Sequence, residues 1–399
     1  MKFNPYTWNL YRQTAIGEKM IKYFSNAEGD DLFERYCPYA NFISKDLYND
    51  WLEDIYCYGV SDYDKPVSLD EAKELYVSLI TLGIRVEGQQ WLPANDFKNM
   101  LEIIQPMSYI LSQFAPEYFF PYLFLCRIFE LDKIADFFGI DLPNIPKRTD
   151  YKGRCMYYWE LCEIFYEFRK ENGLSSVELW AFLYDFALNN IQNEKTDIPK
   201  PSQAWFIGGR LYPEDKSLDS KFWQSNPDTA KGDILVHYET SPVSAITCIE
   251  TSLTNGVIDP LFRYYGCIYI GNRIDIPHIT LKELQVDEYF SKHSLIRKNF
   301  QGVNGWSMSS KDYSELLRVM QTKGFDTNTL PKLYTPNIPK NVDIKKERDV
   351  ELQLLEPLLN SMGWYENKNF IRQLSIHAGR GHRIFPDYAL HYDNKPDEE

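Results

Sequence analysis

The chain has 399 residues, 44% of them hydrophobic and 25% charged, a globular composition long enough for two or three ordinary domains. A formal net charge of -14 excludes a protein that coats nucleic acid indiscriminately, because neutralising phosphates takes a surplus of Lys and Arg; any such contact has to be a local patch. Seven Cys without a Cys-x-x-Cys pair give neither a disulfide framework nor a zinc signature, and no leader-like segment or long apolar run is present, so the expectation is a cytoplasmic protein with no membrane partner.

Taken in chain order, residues 1–197 read as a helical domain of unassigned role, a candidate surface for a protein partner. Ser68 and Glu71 have capping-box spacing ahead of "EAKELYVSLITLG", which stops at Gly83. In "RCMYYWELCEIFYEFRK", Cys155, Trp159, Cys162 and Phe165 recur at helical spacing; this apolar stripe reads as bundle core rather than as a ligand platform, since most such stripes are packing. Ser175 and Glu178 form a second box, with Leu174 and Leu179 placed as its hydrophobic staple. "KTDIPKPSQ" reads as a linker. After it the periodicity shortens to strand runs, "AWFIGG", "GDILVHYE", "SAITCIET" and "RYYGCIYIGN", bounded by turn residues. Ser309, with Asp312 three residues on, opens a closing helix. A Pro-, Asn- and Lys-rich linker is expected over 331–346, and from Glu347 a helix followed by two strands and a hairpin turn.

The segments "AWFIGG", "FWQSNPDTAKGDILVHYET" and "IPHITLKELQVDEYFSKHSLIRKNFQGVNGWSMSSKDYSELLRVM" resemble an EVE domain, of the PUA-like β-barrel group, and place such a domain at 203–325. The resemblance implies a reader of modified bases in DNA or RNA, with the base held in a pocket of aromatic side chains. Chemistry independent of the family asks for the same parts. Flipping a base out of its stack costs a few kcal/mol, offset by ring stacking and by hydrogen bonds to the base edge. Trp205, Trp223, Asn226, Asn304 and Trp306 lie in the matching segments and are the candidate base-binding residues; burial in a small barrel core is the competing reading for each Trp. Arg297 and Lys298, in "LIRKNF", are candidate phosphate contacts, against the reading of solvated loop charges.

At the C-terminal end, Glu347, "ELQLLEPLL" with Pro357, Gly363-Trp364, Gln373 and "GRGHRIFPDYAL" with Asp387 resemble the start of the nuclease domain at the N-terminus of type I restriction enzyme R subunits, within the PD-(D/E)-x-K superfamily. The resemblance implies an α/β restriction-endonuclease-like segment over 347–399, with Mg²⁺ as cofactor and DNA as substrate. Phosphodiester cleavage uses a metal-activated water, and Mg²⁺ takes carboxylate oxygens. Asp387 would be the first metal ligand, on a strand whose one face carries Phe385, Asp387, Ala389 and His391; Glu347 would contact a metal-bound water, with Glu351 a lesser substitute. The family's remaining carboxylate and its lysine come from a following Glu-x-Lys strand. Asp393-Asn394-Lys395 formally fits, but follows too soon for a turn and second strand. The expectation is therefore an incomplete site, inactive in this chain alone and completed beyond Glu399. Arg380 and Arg383, with Arg372, form a basic hairpin able to meet phosphates, and His377 and His382 lack other ligands at metal spacing. No Gly-x-x-x-x-Gly-Lys-Ser/Thr motif occurs.

The whole reads as a multidomain, modification-sensing restriction protein of anti-phage defence: an all-α N-terminal domain, an EVE-like barrel with helices, and part of a nuclease. The alternative is a non-enzymatic module that binds modified nucleic acid or a partner protein and carries a vestigial nuclease fold.

Overall fold

The computed structural model describes residues 3–26, 32, 35, 45–86, 89–191, 198–211, 220–333, 344–361, 364–366, 368, 370–372, 374–377, 383–384 and 386–390. The chain divides into two compact units, Met1–Leu333 and Tyr334–Glu399.

In the first unit the helices begin and end where local chemistry satisfies their free backbone groups. Ser68 accepts from the Glu71 amide at 3.2 Å, and the Glu71 carboxylate reaches back one residue further than a capping box requires, to the Val67 amide at 3.0 Å; the helix Leu69–Leu82 then stops at Gly83, whose φ is +76°. Asp150 caps the helix Tyr151–Asn172, which ends on Gly173 in the left-handed region. The Ser175–Glu178 box closes reciprocally, at 3.2 and 2.9 Å, and Leu174 and Leu179 are both buried. The helix Ser176–Ala181 runs through a wide turn, Phe182–Phe186, into Ala187–Asn190.

The stripe Cys155, Trp159, Cys162 and Phe165 is wholly buried and belongs to one large aromatic-rich core with Trp8, Phe24, Tyr76 and Phe182. Two of its buried phenols donate to main-chain carbonyls, Tyr76 to Cys155 at 2.7 Å and Tyr158 to Phe120 at 2.8 Å, whereas the buried Tyr122 hydroxyl finds no partner among the described residues. A short hairpin, β1 (Ile84–Val86) with β2 (Gln89–Leu92), follows the Leu69–Leu82 helix.

The same core runs into the sheet through Leu261, Phe262 and Cys267. The join is polar as well. Buried Arg154 donates to the carbonyls of Arg148, Pro260 and Phe262 at 2.9, 2.9 and 2.6 Å, and buried Asp259 accepts from the amides of Cys126 and Leu261 at 2.6 and 2.9 Å. Helices and sheet thus make one compact unit.

The sheet comprises β3 (Ala204–Gly209), β4 (Ser220–Gln224), β5 (Ile234–Glu239), β6 (Ala245–Ser252), β7 (Val257–Ile258), β8 (Gly266–Thr280) and β9 (Trp306–Met308). Its order is β4-β8-β6-β5-β3-β9 with β7 beside β8, curled into a half-barrel; β3 and β5 run parallel and every other pair antiparallel. The two-residue period of a strand sorts side chains between faces. Ala204, Phe206, Ile234 and Val236 pack against helices, chiefly through Leu284, Leu295, Leu316 and Met320. Trp205, Ile207, Leu235, Ile268 and Ile270 form the core of the opposite face, with Trp223 packed against it. The Ser309–Asp312 box opens the helix Ser310–Thr322, as the sequence spacing predicts.

The second unit begins with a helix, Glu347–Val350, that widens over Glu351–Leu355 and resumes over Glu356–Ser361. Pro357 explains the wide turn. It has no N–H for the carbonyl four residues back and its ring crowds that position, and the Glu356 amide instead donates five residues back to Glu351. Beyond it, β10 (Phe370–Arg372) pairs with β13 (Tyr388–Leu390), and β11 (Ile376–His377) with β12 (Arg383–Ile384). Asp387, expected within a strand, sits in a bend before β13. Pro386 cannot donate to a ladder, so pairing starts only at Tyr388. Arg372 holds Glu366 through two hydrogen bonds, of 2.7 and 2.9 Å, and also bonds Glu356. Among the described residues no helix is long and apolar enough to cross a membrane.

Candidate nucleic-acid interface

The end of β3 is Gly208-Gly209, and the missing side chains matter. A Cβ on Gly209 would stand 2.6 Å from Trp223 Cζ2, so the indole lies directly on bare backbone. Trp223 belongs to β4, at the far edge of the strand order; curling of the sheet brings it across to β3. Asn304, just ahead of β9, ties the two together. Its Oδ1 accepts from the Gly208 amide at 2.8 Å and from Trp223 Nε1 at 3.2 Å, while its Nδ2 donates to Gln224 Oε1 at 3.3 Å. Asn226 donates to the Gly305 carbonyl at 3.4 Å and accepts from the Asp228 amide at 3.0 Å. Gly305 has φ +76°, and a Cβ there would meet the Asn226 backbone at 2.4 Å. Trp223, Gln224, Asn226 and Asn304 are all half-buried.

The other candidates lie elsewhere. Trp205 is only 6% exposed and donates its indole N–H to Asp233 Oδ2 at 2.9 Å, within the core of that face. Trp306 pairs with Phe206 in the ladder and packs on the helix-covered face, with Lys298 Nζ 5.6 Å from its ring centre. Arg297 and Lys298 are exposed at the end of the short helix Ser294–Arg297. The structure therefore gathers Trp223, Asn226 and Asn304, buries Trp205 in the core against which Trp223 packs, and places Trp306 on the other face.

Beneath Trp223 lies a buried polar group that sequence reading passed over. Glu250 on β6 receives Lys221 Nζ of β4 at 3.1 Å and His237 Nδ1 of β5 at 3.0 Å, all three side chains being nearly inaccessible. Burial pushes the His237 imidazole below its usual pKa, against the pull of Glu250, so the ring is neutral and donates through Nδ1. Burial raises the Glu250 carboxyl, but the bonds from His237 and Lys221 outweigh it and hold the group ionised. The edge of the Trp223 indole meets the His237 ring at 4.6 Å, and the Lys221 ammonium stands 5.5 Å from the indole. The signal in the sequence was the charged and imidazole side chains at inward positions of the apolar runs "ILVHYE" and "AITCIETS".

Cys248 lies close to these groups, with ligand atoms of His237, Cys248 and Glu250 within 4.8 Å of one another. They do not suit a cation: Lys221 already neutralises Glu250, and burial pushes the Cys248 thiol up to about 12, keeping it protonated.

In the second unit Glu347 and Asp387 are exposed, and Glu351 pairs with Arg348 at 2.9 Å. Among the described residues no set of three ligand side chains includes Glu347 or Asp387. Arg383 lies on β12; Arg380, His382 and Lys395 fall outside the described residues.

No family model matches the chain, and no curated protein matches it. Solved structures that do match include Rpa0253 from Rhodopseudomonas palustris, determined by NMR, at 11% identity and TM-score 0.27, covering 30% of this chain and 94% of that one. A hypothetical protein from Leishmania major matches at 12% identity and TM-score 0.27, covering 31% of this chain and 97% of its own.

Proposed function

We propose that the chain binds DNA or RNA through its first unit and holds one modified base, unpaired or extruded from the stack, against Trp223. The observation that carries this reading is the meeting of a half-buried indole with the side-chain amides of Asn304, Gln224 and Asn226 at the bare end of β3. An indole face stacks on any base and contributes roughly 1–3 kcal/mol. Amides both donate and accept, which is what discrimination at a base edge requires. The resemblance of 203–323 to EVE domains implies the same activity. The wider reading, a cytoplasmic restriction protein that couples base recognition to Mg²⁺-dependent cleavage, requires metal ligands in addition to Asp387 and Glu347.

The test is fluorescence anisotropy with labelled oligonucleotides of one sequence, carrying a cytosine modified at C5, an N6-methyladenine, or no modification. The parent is expected to favour a modified strand, and Trp223→Ala and Asn304→Ala to lose about tenfold or more of that affinity, in line with the stacking energy. Equal binding of modified and unmodified strands by the parent, or an undiminished preference in a folded Trp223→Ala protein, would sink the proposal.

A further inference from the structure

Residues 289–311 contain Lys292, Arg297, Lys298 and Lys311 and no Asp or Glu, within a chain of net charge -14. All four cations are exposed, and among the described residues none of them forms a salt bridge.

Packing places this stretch on one side of the helix-covered face. Lys311 Nζ lies 5.3 Å from the Tyr289 ring centre, and the Tyr289 hydroxyl donates to Asp312 Oδ1 at 2.7 Å. His293 Nε2 stands 3.6 Å from the same oxygen, and the His293 ring is 6.1 Å from Phe206, the ladder partner of Trp306. Lys298 covers Trp306. The nearby acids are largely occupied. Arg318 holds Asp287 and Glu315 at 2.7 Å each, and Asp312 is bound by Ser309 and Tyr289, which leaves Glu288 as the exposed acid at the edge of the stretch.

We infer that this face is the track for the backbone of a single strand of nucleic acid. Lys292, Arg297, Lys298 and Lys311 meet its phosphates. Trp306 and Tyr289, half-buried beneath ammonium groups, offer their rings to unpaired bases once the lysines turn to phosphate. A single strand suits the rings, because a base paired in a duplex has no free face to stack. The inference rests on the base-reading proposal for its partner and extends it: Trp306 of the track lies two residues from Asn304 of the Trp223 site, at β9, the edge strand of the sheet.

Neutralising about four phosphates of a single strand gives a slope of log K against log salt of about -3. The experiment is anisotropy with the whole chain and a labelled single strand, its matching duplex, and phosphatidylglycerol vesicles, over a series of KCl concentrations. Lys292→Gln and Lys311→Gln, both exposed and outside the Trp223 site, are expected to flatten the slope by about 0.7 each and leave the ratio of modified to unmodified affinity unchanged. An unaltered slope in the folded variants would overturn the track while leaving the base site standing. Tighter binding of the duplex, or binding of vesicles alone, would overturn the single-strand assignment. Flattened slopes without any preference for a modified base would support the track and remove the base-reading proposal.

Discussion

Glu250 and Asp259 are both buried carboxylates, and their surroundings drive them opposite ways. Glu250 has Lys221 and His237 as direct partners and stays ionised. Removing one partner of such a pair leaves a buried charge uncompensated, which is the costly event rather than the pair itself. Asp259 has main-chain amides and the more distant Arg154, and burial pushes its pKa from 3.8 to about 6. The sign follows from linkage. With its folded pKa above its unfolded value, Asp259 binds a proton more tightly in the folded state, so its contribution to stability falls as pH rises from about 4 to about 6, by up to about 1.4 kcal/mol per unit. Asp259→Asn removes that titration, although it also leaves one of the two bonded amides without its acceptor. Urea unfolding of parent and variant across pH 4 to 7 should show the parent losing stability relative to the variant as pH rises. A difference constant with pH would mean that Asp259 does not titrate in that window.

At the scale of elements, the boundaries were largely legible because their causes are local. The boxes at Ser175 and Ser309 are spacings of three residues, and both close in the structure. The alternation of "AWFIGG" likewise predicts which residues share a face. It does not predict what each face meets: Trp205 enters the core of one face while Trp223, on β4, reaches its rim. Gly209 is the element-level device at that rim. Its φ is not in the left-handed region, so the backbone accepts alanine, but the added methyl would press on the indole. Gly209→Ala is expected to cost about 1–3 kcal/mol by overpacking and to weaken oligonucleotide binding about tenfold, with a shifted tryptophan emission. Unchanged affinity in the folded variant would show that the seat of the indole on β3 does not matter to binding.

For the molecule as a whole, the division after Leu333 assigns every group of the base site and the cationic track to one unit. Helices and half-barrel within that unit share a core and the Arg154 and Asp259 contacts, so separating them would expose buried apolar surface and strand buried polar groups. Residues 1–333 made alone are therefore expected to fold and to bind the modified oligonucleotide as the full chain does. A loss beyond about threefold, larger than experimental scatter and worth about 0.7 kcal/mol, would place part of the interface in residues 334–399.

The sequence by itself determined what depends on neighbours along the chain: helix caps, the face each strand residue takes in the sheet, and a stretch without acids in an acidic protein. Only the tertiary structure decided which distant residues meet. Trp223 and Asn304 are joined because β4 and β3 approach as the sheet curls, and Lys221, His237 and Glu250 are joined because β5 and β6 are neighbours and Lys221 of β4 reaches Glu250 across the intervening β8, in an order the chain does not follow. Periodicity fixes the direction of a side chain, whereas strand order and curvature fix its partner, and those are set by the packing of the whole core.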